Sequence, residues 1–222
     1  MLVNADFSRR AVVTPREYQW IASPQDGVER VMLDRVGAEQ ARATSIVRYA
    51  PDSWFPPHQH PGGEEILVLS GTFSEEDRHY PAGWYLRNPP GSDHRPSSSE
   101  GAVIFVKLRQ MLSGETRPVR IDTGDPARWQ RSGCRETCPL FSDGVEHVCL
   151  QRLKPGESLF AEWVSSAELL VLDGGVLAGS QSYGRGSWIR LPAGRDPELI
   201  AGESGTMLYL KTGHLDHMVL EV

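Results

Sequence analysis

The feature that most constrains this chain is that it repeats itself. Leu67-Val-Leu-Ser-Gly71 returns as Leu170-Val-Leu-Asp-Gly174, and Gly83-Trp-Tyr-Leu-Arg-Asn-Pro89-Pro-Gly91 returns as Gly186-Ser-Trp-Ile-Arg-Leu-Pro192-Ala-Gly194. Both blocks are displaced by 103 positions (174 minus 71; 186 minus 83). Each copy must therefore form its own supersecondary unit, and 222 residues read as two equivalent halves rather than one large domain. Within a copy the apolar runs are short and rich in Val, Ile, Leu, Tyr and Trp. They are punctuated by Pro61-Gly-Gly63, Pro81-Ala-Gly83 and Pro89-Pro-Gly91. That pattern predicts an all-β protein of antiparallel sandwiches or barrels. Strands are expected at 43–49, 65–69, 84–88 and 103–108, then at 145–152, 169–172, 187–191 and 207–211; no segment has a sustained helical period. The boundary falls near position 122, where Gly, Pro, Thr and Asp interrupt the apolar alternation. The expected division is an arm at 1–27, a first barrel at 28–121 and a second at 122–222.

Charge and hydropathy exclude several partners. With 23 basic and 29 acidic residues the net charge is -6, and no basic run is longer than Arg9-Arg10, so nucleic acid is not an expected partner. The longest apolar runs, 66–69 and 169–172, cannot span a bilayer, so no membrane association is expected. The first ten residues lack an apolar signal core, and three cysteines, an odd number, do not make a disulfide framework. A reducing, cytoplasmic location is the expectation.

The chemistry concentrates in the first copy. His58-Gln-His60 places two imidazoles at i and i+2, on one face of a strand. Pro61-Gly-Gly63 turns the chain and Glu64 follows. Thirty positions beyond Glu64, the Pro89-Pro-Gly91 turn is suited to delivering His94 to the same point. Three neutral imidazoles and one carboxylate suit one divalent ion, Zn, Fe, Mn, Ni or Cu, with room left for water or a small-molecule ligand. Glu65 competes with Glu64, and the repeat arbitrates. At a displacement of 103, His58, His60, Glu64 and His94 fall on Ala161, Trp163, Ala167 and Pro197, so copy two loses all four, while Glu65 is kept as Glu168. Glu64 belongs to the metal set. Arg87, kept as Arg190, is read as the salt-bridge partner of Glu65, with Arg190 serving Glu168, and Trp163 as a plug for the space that His60 and an ion take in copy one.

These two blocks resemble the two motifs of the cupins, small double-stranded β-helices or jelly rolls. The run 42–51, then His58 to Phe73, 85–91 and 105–110, is similar to the ChrR-type cupin, with Ser98 where the second cupin motif commonly has Asn. The resemblance implies a tandem bicupin with zinc, the expected ion, on His58, His60, Glu64 and His94. ChrR proteins are anti-sigma factors of the singlet-oxygen response, which implies a regulatory protein partner. Their N-terminal zinc module has no counterpart here, since no His precedes His58 and no Cys precedes Cys134, so direct binding of a sigma factor is not expected. Two functions compete: a regulatory or sensor cupin, and a mononuclear metal dioxygenase acting on a small diketone or phenolic ketone.

Elsewhere, Cys134 and Cys138 read as linker thiols and Cys149 as a core residue, against a second zinc site with His147. His79 reads as part of a solvated hairpin from Glu75, and His214 and His217 as surface residues. The strand at 65–69 is apolar on both faces, which predicts a cover outside the metal pocket and a homodimer.

Overall fold

In a computed structural model the described residues are 1–38, 40–160, 166–193 and 199–215. Among them the protein is all-β apart from two single-turn helices, Pro15–Glu17 and Pro126–Arg128, and none of its helices is long and apolar enough to cross a membrane. Every strand pair is antiparallel, as the short, turn-punctuated runs require. The chain forms two compact units: Met1–Ala5 with Gln19–Gly124, and Asp6–Tyr18 with Asp125–Val222. The N-terminal residues are thus shared between the units. Leu2–Val3 pairs with Val28–Val36 in the first, and Ala11–Val13 pairs with Trp188–Leu191 in the second.

In the first unit the hydrogen-bonded order runs Val28–Val36, Arg42–Tyr49, Ala102–Leu108, Glu64–Glu75, Trp84–Asn88, Val119–Asp122. A separate ribbon pairs His58–His60 with Ser92–His94. Alternation along each strand turns Ile66, Val68, Leu86, Ile104, Val106 and Val28 into one core, closed by Tyr49, Phe73 and Tyr80. The strand expected to end at 69 runs on to Glu75. It passes a register shift at Leu69, and Gly71 beyond it takes φ +67, where a Cβ would collide with the carbonyl oxygen of Gly101.

The second unit repeats the arrangement. Ala167–Ala178 matches Glu64–Glu75 at a displacement of 103 at both ends, and Ala167 opposes Leu191 as Glu64 opposes Asn88. Its core is built from Leu169, Val171, Val176, Ile189, Leu208 and Leu210. Ala167 is fully buried there. Ala161, Trp163 and Pro197, the other three positions matched to the metal set, lie outside the described residues.

Candidate metal centre

The His58–His60 and Ser92–His94 strands pair so that His58 faces His94 directly, while the i, i+2 spacing keeps His58 and His60 on one side. Two turns lock this ribbon to a single atom: the backbone N–H of Gly63 donates to the His60 carbonyl at 3.1 Å, and that of Gly91 at 2.9 Å. The three imidazoles form a nearly equilateral group, with ring centroids 4.7 Å (His58–His60), 4.7 Å (His60–His94) and 5.0 Å (His58–His94) apart. Glu64 comes from the next strand, with Oε2 3.4 Å from Nε2 of both His60 and His94. All four expected residues are therefore brought together, with His60, Glu64 and His94 buried and His58 partly exposed.

The hydrogen bonds decide which nitrogens face the centre. His58 Nδ1 lies 2.8 Å from the Pro56 carbonyl, and His94 Nδ1 lies 2.7 Å from Glu75 Oε1. Both partners can only accept, so each Nδ1 carries the proton and each Nε2 presents a lone pair. His60 and His94 meet Nε2 to Nε2 at 2.9 Å beside the Glu64 carboxylate. Two buried imidazole nitrogens and a carboxylate converging this closely need a positive charge between them, and a divalent cation meets that need with the donors it prefers. The residues present fit such an ion.

Glu75 was not among the expected site residues. It was read as the start of a solvated hairpin, yet it is 4% exposed and sits behind His94. Its Oε1 also accepts from Asn88 Nδ2 at 3.0 Å, and its Oε2 from Arg120 Nη2 at 2.9 Å. Asn88 Nδ2 in turn reaches Glu64 Oε2 at 3.1 Å, closing a ring of Glu64, Asn88, Glu75 and His94. Burial raises the Glu75 pKa, but the bonds from His94 and Asn88 and the charge of Arg120 outweigh it and leave the carboxyl at about 2. Burial lowers the pKa of His60 against the pull of Glu64; for His94 burial also presses downward, but Glu75 and Glu64 prevail and the net shift is upward. Glu64 faces Nε2 and Glu75 faces Nδ1 of His94, so Glu64 is positioned where it could hold an ion and Glu75 where it orients the His94 ring. The repeat held the signal: Glu64, Glu75 and Asn88 fall on Ala167, Ala178 and Leu191, three residues of the apolar core of the second unit.

The Gly62-Gly63 turn has a packing reason. A Cβ on Gly62 would come within 2.8 Å of Arg109 Cα and Cβ, and Gly63 takes φ +75 against Met111. The backbone returns the contact, with Arg109 N–H donating to Gly63 O at 3.0 Å and Met111 N–H to Gly62 O at 3.3 Å. The centre opens on a cavity of about 370 Å³ in the first unit, whose lining includes His58, His60, Glu64, Val47, Phe55, Ile104 and Val106.

The remaining expected residues fall as follows. Arg87 Nη1 bonds Glu65 Oε2 at 3.0 Å, the structural ion pair, and Arg87 Nε donates to Glu115 Oε1 at 2.5 Å. Arg190 opposes Glu168 in register, and Glu168 accepts from Trp188 Nε1 at 2.7 Å. Ser98 is buried and donates to the Thr72 carbonyl at 2.7 Å. Cys134 is exposed, but Cys138 is no linker thiol: it lies buried in the Arg135–Ser142 strand, next to the strand carrying Cys149. Among the described residues the metal-donor groups gather only in the first unit, from His58, His60, His94, Glu64 and Glu75. His79 is exposed, and its Nδ1 lies 2.9 Å from Ser74 Oγ. His214 is no surface residue: its side chain is buried with Nε2 3.1 Å from Glu168 Oε2. His217 lies outside the described residues.

Comparison with known proteins gives a consistent picture. Residues 8–112 match the family model of the ChrR cupin-like domain. A search of curated proteins finds no match. Among solved structures the chain is similar to a candidate dioxygenase from Nostoc punctiforme (14% identity, 99% of this chain and 84% of that one, TM-score 0.71). It is also similar to the protein Ylba from Escherichia coli (17% identity, 94% and 93%, TM-score 0.69). A third is the bacterial pirin YhhW from Escherichia coli in complex with nickel(II) (13% identity, 92% and 98%, TM-score 0.65). At these identities the likeness establishes the fold, a tandem cupin.

Proposed function

We propose that this chain, a bicupin with a ChrR cupin-like domain in its first half, is a mononuclear metalloprotein acting on a small organic molecule, the first unit holding one divalent ion and the second serving as scaffold. The observation that carries the reading is the opening of the histidine and glutamate cluster, through His58, His60 and Glu64, onto a cavity of small-molecule size whose walls carry both apolar and polar side chains. A bound redox-active ion would supply Lewis acidity and a place for O2, which is dioxygenase chemistry: both oxygen atoms enter the products as a carbon–carbon bond of a diketone or phenolic ketone is cleaved. The chain's own residues contribute the rest. His58 and His94 are held in one tautomer by Pro56 O and Glu75, and Phe55, Ile104 and Val106 give the chamber apolar surface.

A second reading, a zinc-holding sensor that passes ligand or oxidant state to a protein partner, is favoured by the match of residues 8–112 to the ChrR cupin-like domain. Two measurements separate the readings. Metal per chain, measured for the native protein and for His58→Ala and His94→Ala, should be near one and fall well below one in both variants. O2 uptake with diketones and phenolic ketones, after loading with Fe, Mn, Ni or Cu, supports the enzyme. Native zinc with no uptake under any metal supports the sensor. A stoichiometry near one that survives both substitutions overturns the metal centre itself.

A further inference from the structure

Three arginines line the same cavity. Arg30 and Arg35 both lie on the Val28–Val36 strand, five positions apart, a spacing that on a regular strand would point them to opposite faces. The register shift between Met32 and Asp34 adds one residue, so Arg30 opposes Val47 and Arg35 opposes Ala43, two residues of one face that both line the cavity. The bulge thus puts both side chains on the face that lines the cavity. Arg109, at the Gly62-Gly63 turn, lines the cavity as well.

Their partners are neutral. Arg30 Nη2 donates to Ser23 Oγ at 3.2 Å, Arg35 to the Ala38 carbonyl, and Arg109 Nη1 to Gln40 Oε1 at 3.2 Å. Among the described residues none of the three has a carboxylate within ion-pair distance, whereas Arg42, Arg87 and Arg120 of the same unit are paired with Asp34, Glu65 and Glu75. Glu64, committed at the metal centre, is the one acidic residue among the described residues of the lining. Burial, and then the nearby charge of Arg35, lowers the pKa of Arg30, as expected of like charges gathered in a confined space. Between the arginines and the histidines run the apolar side chains of Val47, Phe55, Ile104, Val106 and Leu108.

We infer that the cavity takes a small organic anion, a compound with one carboxylate on a ring-sized apolar body. The carboxylate is held by Arg30 and Arg35, a geometry guanidinium groups match with paired hydrogen bonds. The body lies on the aliphatic walls, and an oxygen function at its other end faces the His58, His60, Glu64 and His94 cluster. This deepens the reading of the cavity as a substrate chamber and rests on it. It adds a selection that the metal alone does not make, since neutral ketones of equal size lack the group the arginines require.

The test uses the full chain as purified, with benzoate and its neutral isostere benzamide as probes, titrated calorimetrically. Benzoate should bind at least tenfold more tightly than benzamide and weaken as salt rises from low to physiological ionic strength, with benzamide indifferent to salt. Arg30→Gln and Arg35→Gln should each lose tenfold or more in benzoate affinity at unchanged benzamide affinity and unchanged metal content, and Arg30→Lys, which keeps the charge on a native-like side chain, should recover part of the loss. Equal binding of the two probes, or benzoate affinity within twofold of the native value in folded Arg30→Gln and Arg35→Gln, overturns the inference. Metal content is measured separately, so the two readings fail separately. Arginine-dependent benzoate binding by a chain that holds no metal would keep the anion site and remove the metal centre, while a metal-loaded chain blind to benzoate would do the reverse.

Discussion

Replacing Glu75 by glutamine exchanges one oxygen for an NH2 group and should cost a tenfold to hundredfold loss of metal affinity. Three donors surround the native carboxylate: His94 Nδ1 at 2.7 Å and Asn88 Nδ2 at 3.0 Å on Oε1, and Arg120 Nη2 at 2.9 Å on Oε2. A carboxylate accepts from all of them, but an amide cannot. With the glutamine oxygen toward His94, the amide NH2 confronts Arg120. With the amide flipped, the NH2 confronts Asn88 and drives the His94 proton to Nε2, where it occupies the lone pair a metal needs. The first orientation is the cheaper, because the Arg120 side chain is 24% exposed and can turn to water, at roughly 1 kcal/mol for a partly solvated pair. Even then His94 donates to a neutral acceptor, a bond about half as strong as the charge-assisted one. Loss of such an orienting partner typically lowers metal affinity by about 10–100-fold, equivalent to about 1.4–2.7 kcal/mol. Competition against a chromophoric chelator of known affinity measures the change, with circular dichroism confirming that the fold is kept. A folded Glu75→Gln protein whose metal affinity stays within twofold of native would refute the assignment of Glu75 as the residue that orients His94.

Other outcomes follow from the same geometry. Gly62→Ala places a Cβ within 2.8 Å of Arg109 Cα and Cβ, backbone-anchored atoms that cannot swing aside. It should destabilise the fold by about 1–3 kcal/mol and weaken metal binding by displacing His60 and Glu64 on either side of the turn, read by thermal melts with and without metal. A thiol reagent at neutral pH should modify exposed Cys134 quickly and buried Cys138 only on unfolding, since burial raises the Cys138 pKa; mass spectrometry of the labelled chain locates the adduct. Burial, reinforced by neighbouring Cys138, pushes the Cys149 thiol up to about 12, above its unfolded value, so its contribution to stability is fully present below about pH 8.5 and lost as pH rises toward 12. Cys149→Ala should flatten the alkaline limb of a denaturant midpoint plotted against pH.

What the sequence determined by itself was what is local or periodic. The displacement of 103 positions foretold two all-β units of matching register, because each half must satisfy its own hydrogen bonds and bury its own core. The grouping of His58, His60, Glu64 and His94 was legible because strand alternation and two glycine turns fix where short segments point. Glu75 was hidden because its partners are remote: Asn88, His94 and Arg120 lie 13 to 45 residues further on, and only the closed unit sets them around it. Only the copies' comparison at that position, where Ala178 stands in the second unit, carries a trace of it. His214 misled for the same reason, because a terminal histidine looks solvated until the fold lays it against Glu168. The arginines of the cavity were illegible altogether. Counting by twos along Val28–Val36 separates Arg30 from Arg35, and only the extra residue of a bulge, decided by pairing with Arg42–Tyr49, puts both side chains on the face that lines the cavity.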